Sequence, residues 1–150
     1  MTNKKGFTLI ELLVVIGILA ILLAITLIAI NPARQFGQAN NTRRRSDVLQ
    51  ILNAVHQYAA ENNGQLPPEV SALTATAGTV LSGANFPNLC GELMTNYMPA
   101  LPTDPSLNSP NITSCTATTW NTGYAIMKDA EGRVTVSATG DLGATISVTR

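Results

Sequence analysis

Nothing constrains the fold of this chain as tightly as residues 12–30, which carry no charged side chain. About 19 residues at 1.5 Å each span roughly 28 Å, close to the hydrocarbon thickness of a bilayer. The stretch exceeds the apolar core of a secretory signal, and no small-x-small cleavage pattern follows it, Ala29-Ile30-Asn31-Pro32 being a poor substitute. It therefore reads as a retained single-pass helix. Lys4 and Lys5 on its short N-terminal side place the N-terminus in the cytoplasm and everything after Asn31 outside it. What remains of 150 residues suffices for one small domain, which leaves little room for a large enzyme.

One acid, Glu11, stands at the mouth of this run. A carboxylate at the centre of a bilayer helix costs roughly 2.5 to 3.5 kcal/mol, and less near an end, so an acid here needs a partner or a purpose.

Lys4-Lys5-Gly6-Phe7-Thr8-Leu9-Ile10-Glu11-Leu12-Leu13-Val14-Val15 resembles the class III signal of type IV pilins and of the pseudopilins of type II secretion. The resemblance implies cleavage by a prepilin peptidase between Gly6 and Phe7, followed by N-methylation of Phe7. It also implies that Glu11 meets the Phe7 amine of a neighbouring subunit during assembly. On this reading Glu11 has no partner until Gly6 is removed, and the uncut chain waits in the inner membrane. Many relatives carry a proline within this helix; here Pro32 falls at its end, so Gly17, Thr26 and the Asn31-Pro32 step are the weak points. Gly17, Ala20 and Ala24 are small residues at a spacing that lets helices approach closely, although composition alone also accounts for them.

Beyond the membrane segment, Asn31-Pro32 reads as an N-cap with proline in the first turn of a second helical segment. Val48, Ile51, Leu52, Val55, Tyr58 and Ala59 mark one apolar face, and Asn63-Gly64 ends the helix before Pro67-Pro68. Residues 7–62 are thus expected as one rod of roughly 84 Å, with Pro32 as its kink point. Arg43-Arg44-Arg45 reads either as a solvated helix face or as a contact to another subunit or to lipid phosphate. Without interleaved aromatics, and with a formal net charge of zero, the chain gives no sign of a nucleic-acid partner. His56 has no second ligand at metal-binding spacing and reads as a packed helix residue.

Residues 65–122 are rich in Thr, Ser, Asn, Gly and Pro and read as a long loop region with a short helix near 91–97. The two cysteines, Cys90 and Cys115, fit a disulfide in an exported domain better than a metal site. Tyr97-Met98-Pro99-Ala100-Leu101-Pro102-Thr103-Asp104-Pro105 resembles a segment of the major pseudopilins and related pilins. Calcium pins a nearby loop in the major pseudopilins. Here a calcium cage would have to come from Asp104, Asp129, Glu131 or Asp141, and no metal or cofactor is expected. In residues 123–150, Tyr124 and Ile126, then Val134, Val136 and Ala138, then Ile146 and Val148 alternate as three short strands of an antiparallel meander.

The expected architecture is α+β and pilin-like. It comprises a leader (residues 1–6), a transmembrane and filament-core helix (7–30), a soluble helix (31–64) and a globular head (65–150). No nucleophile elbow, phosphate loop or zinc-protease motif is present, and the single histidine leaves no catalytic constellation. The expected role is structural: a subunit that polymerises into a type IV pilus filament, with the peptidase, an inner-membrane assembly platform and lipid as its partners. The alternatives are a major pseudopilin of a secretion or DNA-uptake machine, or a minor tip subunit that binds a ligand.

Overall fold

Leu9–Ile30 forms a helix, α1, as the uninterrupted run of Leu, Ile, Val and Ala dictates. The computed structural model describes residues 6–74, 78–116 and 119–150; Lys4 and Lys5 lie outside them. None of the α1 side chains is buried, and apolar residues cover the whole circumference. A helix that is apolar all round requires lipid or a helix bundle as its solvent. Among the described residues it is the one helix long and apolar enough to cross a membrane.

The long helical segment is interrupted at the step where the sequence places its kink. Asn31 closes α1 in the left-handed conformation (φ 47°), and a second helix, α2, runs over Pro32–Glu61. Proline disfavours the α region for the residue before it, and asparagine tolerates the left-handed one, so this dipeptide stops one helix and starts the next. The Asn31 side chain accepts from the Arg34 amide at 3.4 Å, consistent with the N-cap role read from the sequence.

The chain divides into Met1–Phe36 and Gly37–Arg150. In the second unit, Val48, Ile51, Leu52 and Val55 of α2 are fully buried and pack in one core with Tyr124, Ile126, Val134, Val136, Ala138 and Ile146 of the sheet. Among the described residues the sheet has four strands rather than three: β1 (Thr79–Ser82), β2 (Asn121–Lys128), β3 (Val134–Thr139) and β4 (Thr145–Thr149), antiparallel in that order. β1 falls within the expected loop region, because four residues with one fully inward side chain, Leu81, are too short for a period of two to register. Residues 129–132 turn the chain from β2 to β3, and Asp141–Gly143 forms a short 3-10 turn between β3 and β4.

Residues 65–122 also hold more regular structure than their composition suggests. They contain α3 (Pro68–Ser71), β1, α4 (Leu89–Asn96), a 3-10 turn at Pro105–Leu107 and the start of β2. α4 is the expected short helix, starting two residues and ending one residue nearer the N-terminus. Its Cys90 is bonded to Cys115, with the Cα atoms 5.6 Å apart. Leu89, Cys90 and Leu93 are buried in the core, so the bridge ties the 111–116 stretch directly to it.

Candidate functional site

Two places concentrate polar chemistry: the N-terminal mouth of α1 and the buried end of α2. At the first, Gly6 and Phe7 are exposed, Phe7 at 85%, and none of the described residues lies within 4 Å of where a Gly6 side chain would project. A Gly6-Phe7 peptide bond in open backbone is accessible to an enzyme. Thr8 then caps α1. Its hydroxyl accepts from the Glu11 amide at 3.3 Å, while Glu11 Oε2 accepts from the Thr8 amide at 2.8 Å and from the Thr8 hydroxyl at 2.7 Å. This reciprocal capping box satisfies donors that the helix cannot satisfy itself and places a negative charge at the positive end of the helix dipole.

The expectation that Glu11 lacks a partner in the uncut chain is therefore corrected: Thr8 holds it. Thr8-Leu9-Ile10-Glu11 is the Ser/Thr-x-x-Glu signature in plain sequence, so the signal was present. Both bonds use one carboxylate oxygen, Oε2. Among the described residues none bonds Oε1, which lies on an exposed face beside a shallow groove lined by Phe7, Ile10, Val14 and Val15.

At the second place the structure divides the arginine cluster. Arg43 and Arg45 are exposed, as a solvated face requires, but Arg44 is fully buried. Its Nε and Nη2 donate to the two oxygens of Asp104 at 2.8 and 3.0 Å, a bidentate pair. Nη2 also donates to the Ser106 hydroxyl, Nη1 donates to Asn41 at 3.1 Å, and Nη1 lies 3.2 Å from Asp141. Asn41 completes the knot by donating to the Asp141 carbonyl at 3.0 Å and accepting from the Asp141 amide at 2.8 Å.

One guanidinium thus joins α2, the Pro105–Leu107 turn and the β3–β4 connection. The hydrogen bond from Arg44 to Asp104 outweighs burial and raises the Arg44 pKa, keeping it charged. Burial pushes Asp104 up, but the Arg44 bond and then the bond from the Ser106 amide hold it below the usual carboxylate range. Bonds from Asn40 and then Arg44 hold Asp141 low as well. Two of the four carboxylates considered for calcium therefore face a guanidinium. The other two, Asp129 and Glu131, lie at the β2–β3 turn beside Arg133.

Asp104 also accounts for the Leu101-to-Pro105 stretch: Leu101 bridges Ile112, and the Asp104 amide donates to the Thr122 carbonyl at 2.8 Å. Position 123 must be glycine, because a side chain there would sit 2.9 Å from Asp104 Cβ and the backbone has φ +77°. Deeper in the head, buried Tyr124 donates to Asp47 at 2.7 Å; burial and then this bond raise its pKa. His56 is half-buried on α2, as read.

Residues 1–27 match a family model described as the prokaryotic N-terminal methylation motif. No curated protein and no solved structure matches the chain.

Proposed function

From the premise that this chain carries the N-terminus of a type IV pilin-like prepilin, and so is a membrane-anchored precursor of the pilin and pseudopilin kind, we propose that it is the structural subunit of a type IV pilus filament. The motif points to a structural subunit rather than an enzyme. In this reading the leader ends at Gly6, the peptidase cuts before Phe7, and Phe7 becomes a methylated amine. The head lies outside the cytoplasm. After the cut, α1 exchanges lipid for neighbouring α1 helices, and the head forms the filament surface.

The observation that carries the proposal is the half-used carboxylate at the mouth of an entirely exposed apolar helix. Thr8 occupies Glu11 Oε2, which makes the charge tolerable in the waiting precursor. Oε1 is left to accept a Phe7 amine from the next subunit, a cation that exists only after cleavage. Pairing in a lipid-free bundle repays the desolvation of both charges only when each is matched, so the contact acts as a registry device along the fibre. Repeating one head-to-tail contact without closure generates a filament.

Glu11→Ala in the native host tests the reading. Mass spectrometry of this variant is expected to show the chain cut before Phe7 and methylated, in membranes, while shearing releases no filaments. Normal filaments from Glu11→Ala would defeat the pairing. Wild-type protein cut normally but never released by shearing would exclude the pilus role in favour of a pseudopilin or minor subunit.

A further inference from the structure

β4 ends the sheet, and among the described residues nothing pairs with its outer side. The Val134 and Arg150 amides and carbonyls exchange both hydrogen bonds, which fixes the alternation along the β3–β4 ladder. Val136 with Val148, and Ala138 with Ile146, are then the bonded pairs facing β3, so the backbone groups of Thr145, Ser147 and Thr149 point outward. Natural sheets blunt such edges with charges, prolines or bulges. β1, at the opposite edge, has its register broken between Val80 and Ser82, but Thr145-Ile146-Ser147-Val148-Thr149 has none of these devices.

The pattern of β4 names what fits there. β3 presents to it Thr135-Val136-Ser137-Ala138-Thr139, pairing Thr with Thr149, Ser with Ser147 and Thr with Thr145. β4 reads nearly the same in both directions about Ser147. A second β4 laid antiparallel on the free edge would present Thr-Ile-Ser-Val-Thr, the pattern that β3 already supplies on the other side. Hydroxyl would meet hydroxyl on one face of the sheet and aliphatic would meet aliphatic on the other. Each hydroxyl both donates and accepts, so identical rows are self-complementary, and a chain of zero net charge brings no overall repulsion to the encounter.

We propose that the outer edge of β4 pairs with the same edge of a second copy of this chain, antiparallel and centred on Ser147, joining two sheets into one of eight strands. Thr145, Ser147 and Thr149 supply the backbone bonds. The contact is isologous and closes on itself, so it couples two copies without extending a fibre, and it stands whether or not the chain forms filaments.

Cysteine crosslinking on the full chain in mild detergent tests this. The two native cysteines are bonded to each other, so an introduced thiol reacts alone. Opposed residues in a bonded antiparallel pair have Cα atoms about 5.5 Å apart, within disulfide reach. Ser147→Cys is expected to give a covalent dimer several-fold faster than Thr145→Cys or Thr149→Cys alone, and an equal mixture of the latter two is expected to give the mixed dimer. Equal rates at all three positions would mean nonspecific association through α1 and would overturn the proposal. So would a faster homodimer from Thr145→Cys or Thr149→Cys, or no dimer from Ser147→Cys while Trp120 fluorescence reports a folded head.

Discussion

Replacing Arg44 by methionine removes a buried cation whose side chain is 1% exposed and leaves Asp104, 8% exposed, with its charge uncompensated. Asp141, at 35% exposed, can turn toward water, so its share is a screened contact worth under about 1 kcal/mol. The cost lies in Asp104. Breaking a buried pair from one side costs about 3–5 kcal/mol, and the partial relief available to Asp104 from Ser106 places the expected loss near the lower end, about 3–4 kcal/mol. That is a large part of the roughly 5–15 kcal/mol that holds a domain folded, and at about 4 °C per kcal/mol it corresponds to about 12–16 °C in Tm. Trp120, the only tryptophan and 8% exposed in the head core, reports unfolding by fluorescence in urea on the detergent-solubilised chain. Replacing both partners, Arg44→Met with Asp104→Leu, should recover part of the loss, because no buried charge is stranded, while the Ser106 amide and Asp141 still lose a partner. A single-variant loss below about 1 kcal/mol would put Arg44 among ordinary surface ion pairs. A double variant as unstable as the single one would refute the pairing as the cause.

Acid should unfold the head through the same residues. Asp104 and Asp141 have folded pKa values below the ordinary value of 3.8, so their stabilisation is fully present above about pH 4 and is lost as the pH falls through their folded values. A Trp120 titration from pH 6 to 2 checks the sign, and Asp141→Asn should flatten it. Replacing Cys90 and Cys115 together by alanine removes the restraint on a loop of sequence separation 25 and should cost about 3 kcal/mol, read as a lower urea midpoint. Leu142 is 63% exposed and has φ +60°, a conformation that asparagine and glycine adopt more cheaply, so Leu142→Asn should raise stability by about 0.5–1 kcal/mol in the same assay. Changing Gly6 to a bulky residue should leave uncut precursor in membranes, detected by mass on a gel.

The sequence by itself determined the parts that depend on local chemistry. An apolar run of this length without charge forms a helix long and apolar enough to cross a membrane. Asn31-Pro32 must interrupt a helix, and a two-residue alternation must be strand, as β2, β3 and β4 are. The Thr8–Glu11 box was equally legible, because a capping box is a four-residue interaction.

Arg44 was legible only in part. It falls four residues before Val48 and seven before Ile51, on the buried face of α2, which announces that the charge needs a partner. Nothing in the sequence says that the partners are Asp104 and Asp141, since those contacts close across 60 and nearly 100 residues. β1 likewise exists because the exposed edge of β2 can stabilise four residues whose own propensity is weak. Local segments carry their own free-energy preference, whereas a buried ion pair or an added edge strand takes its stability from groups that only the folded chain brings together. Tertiary structure alone decided those.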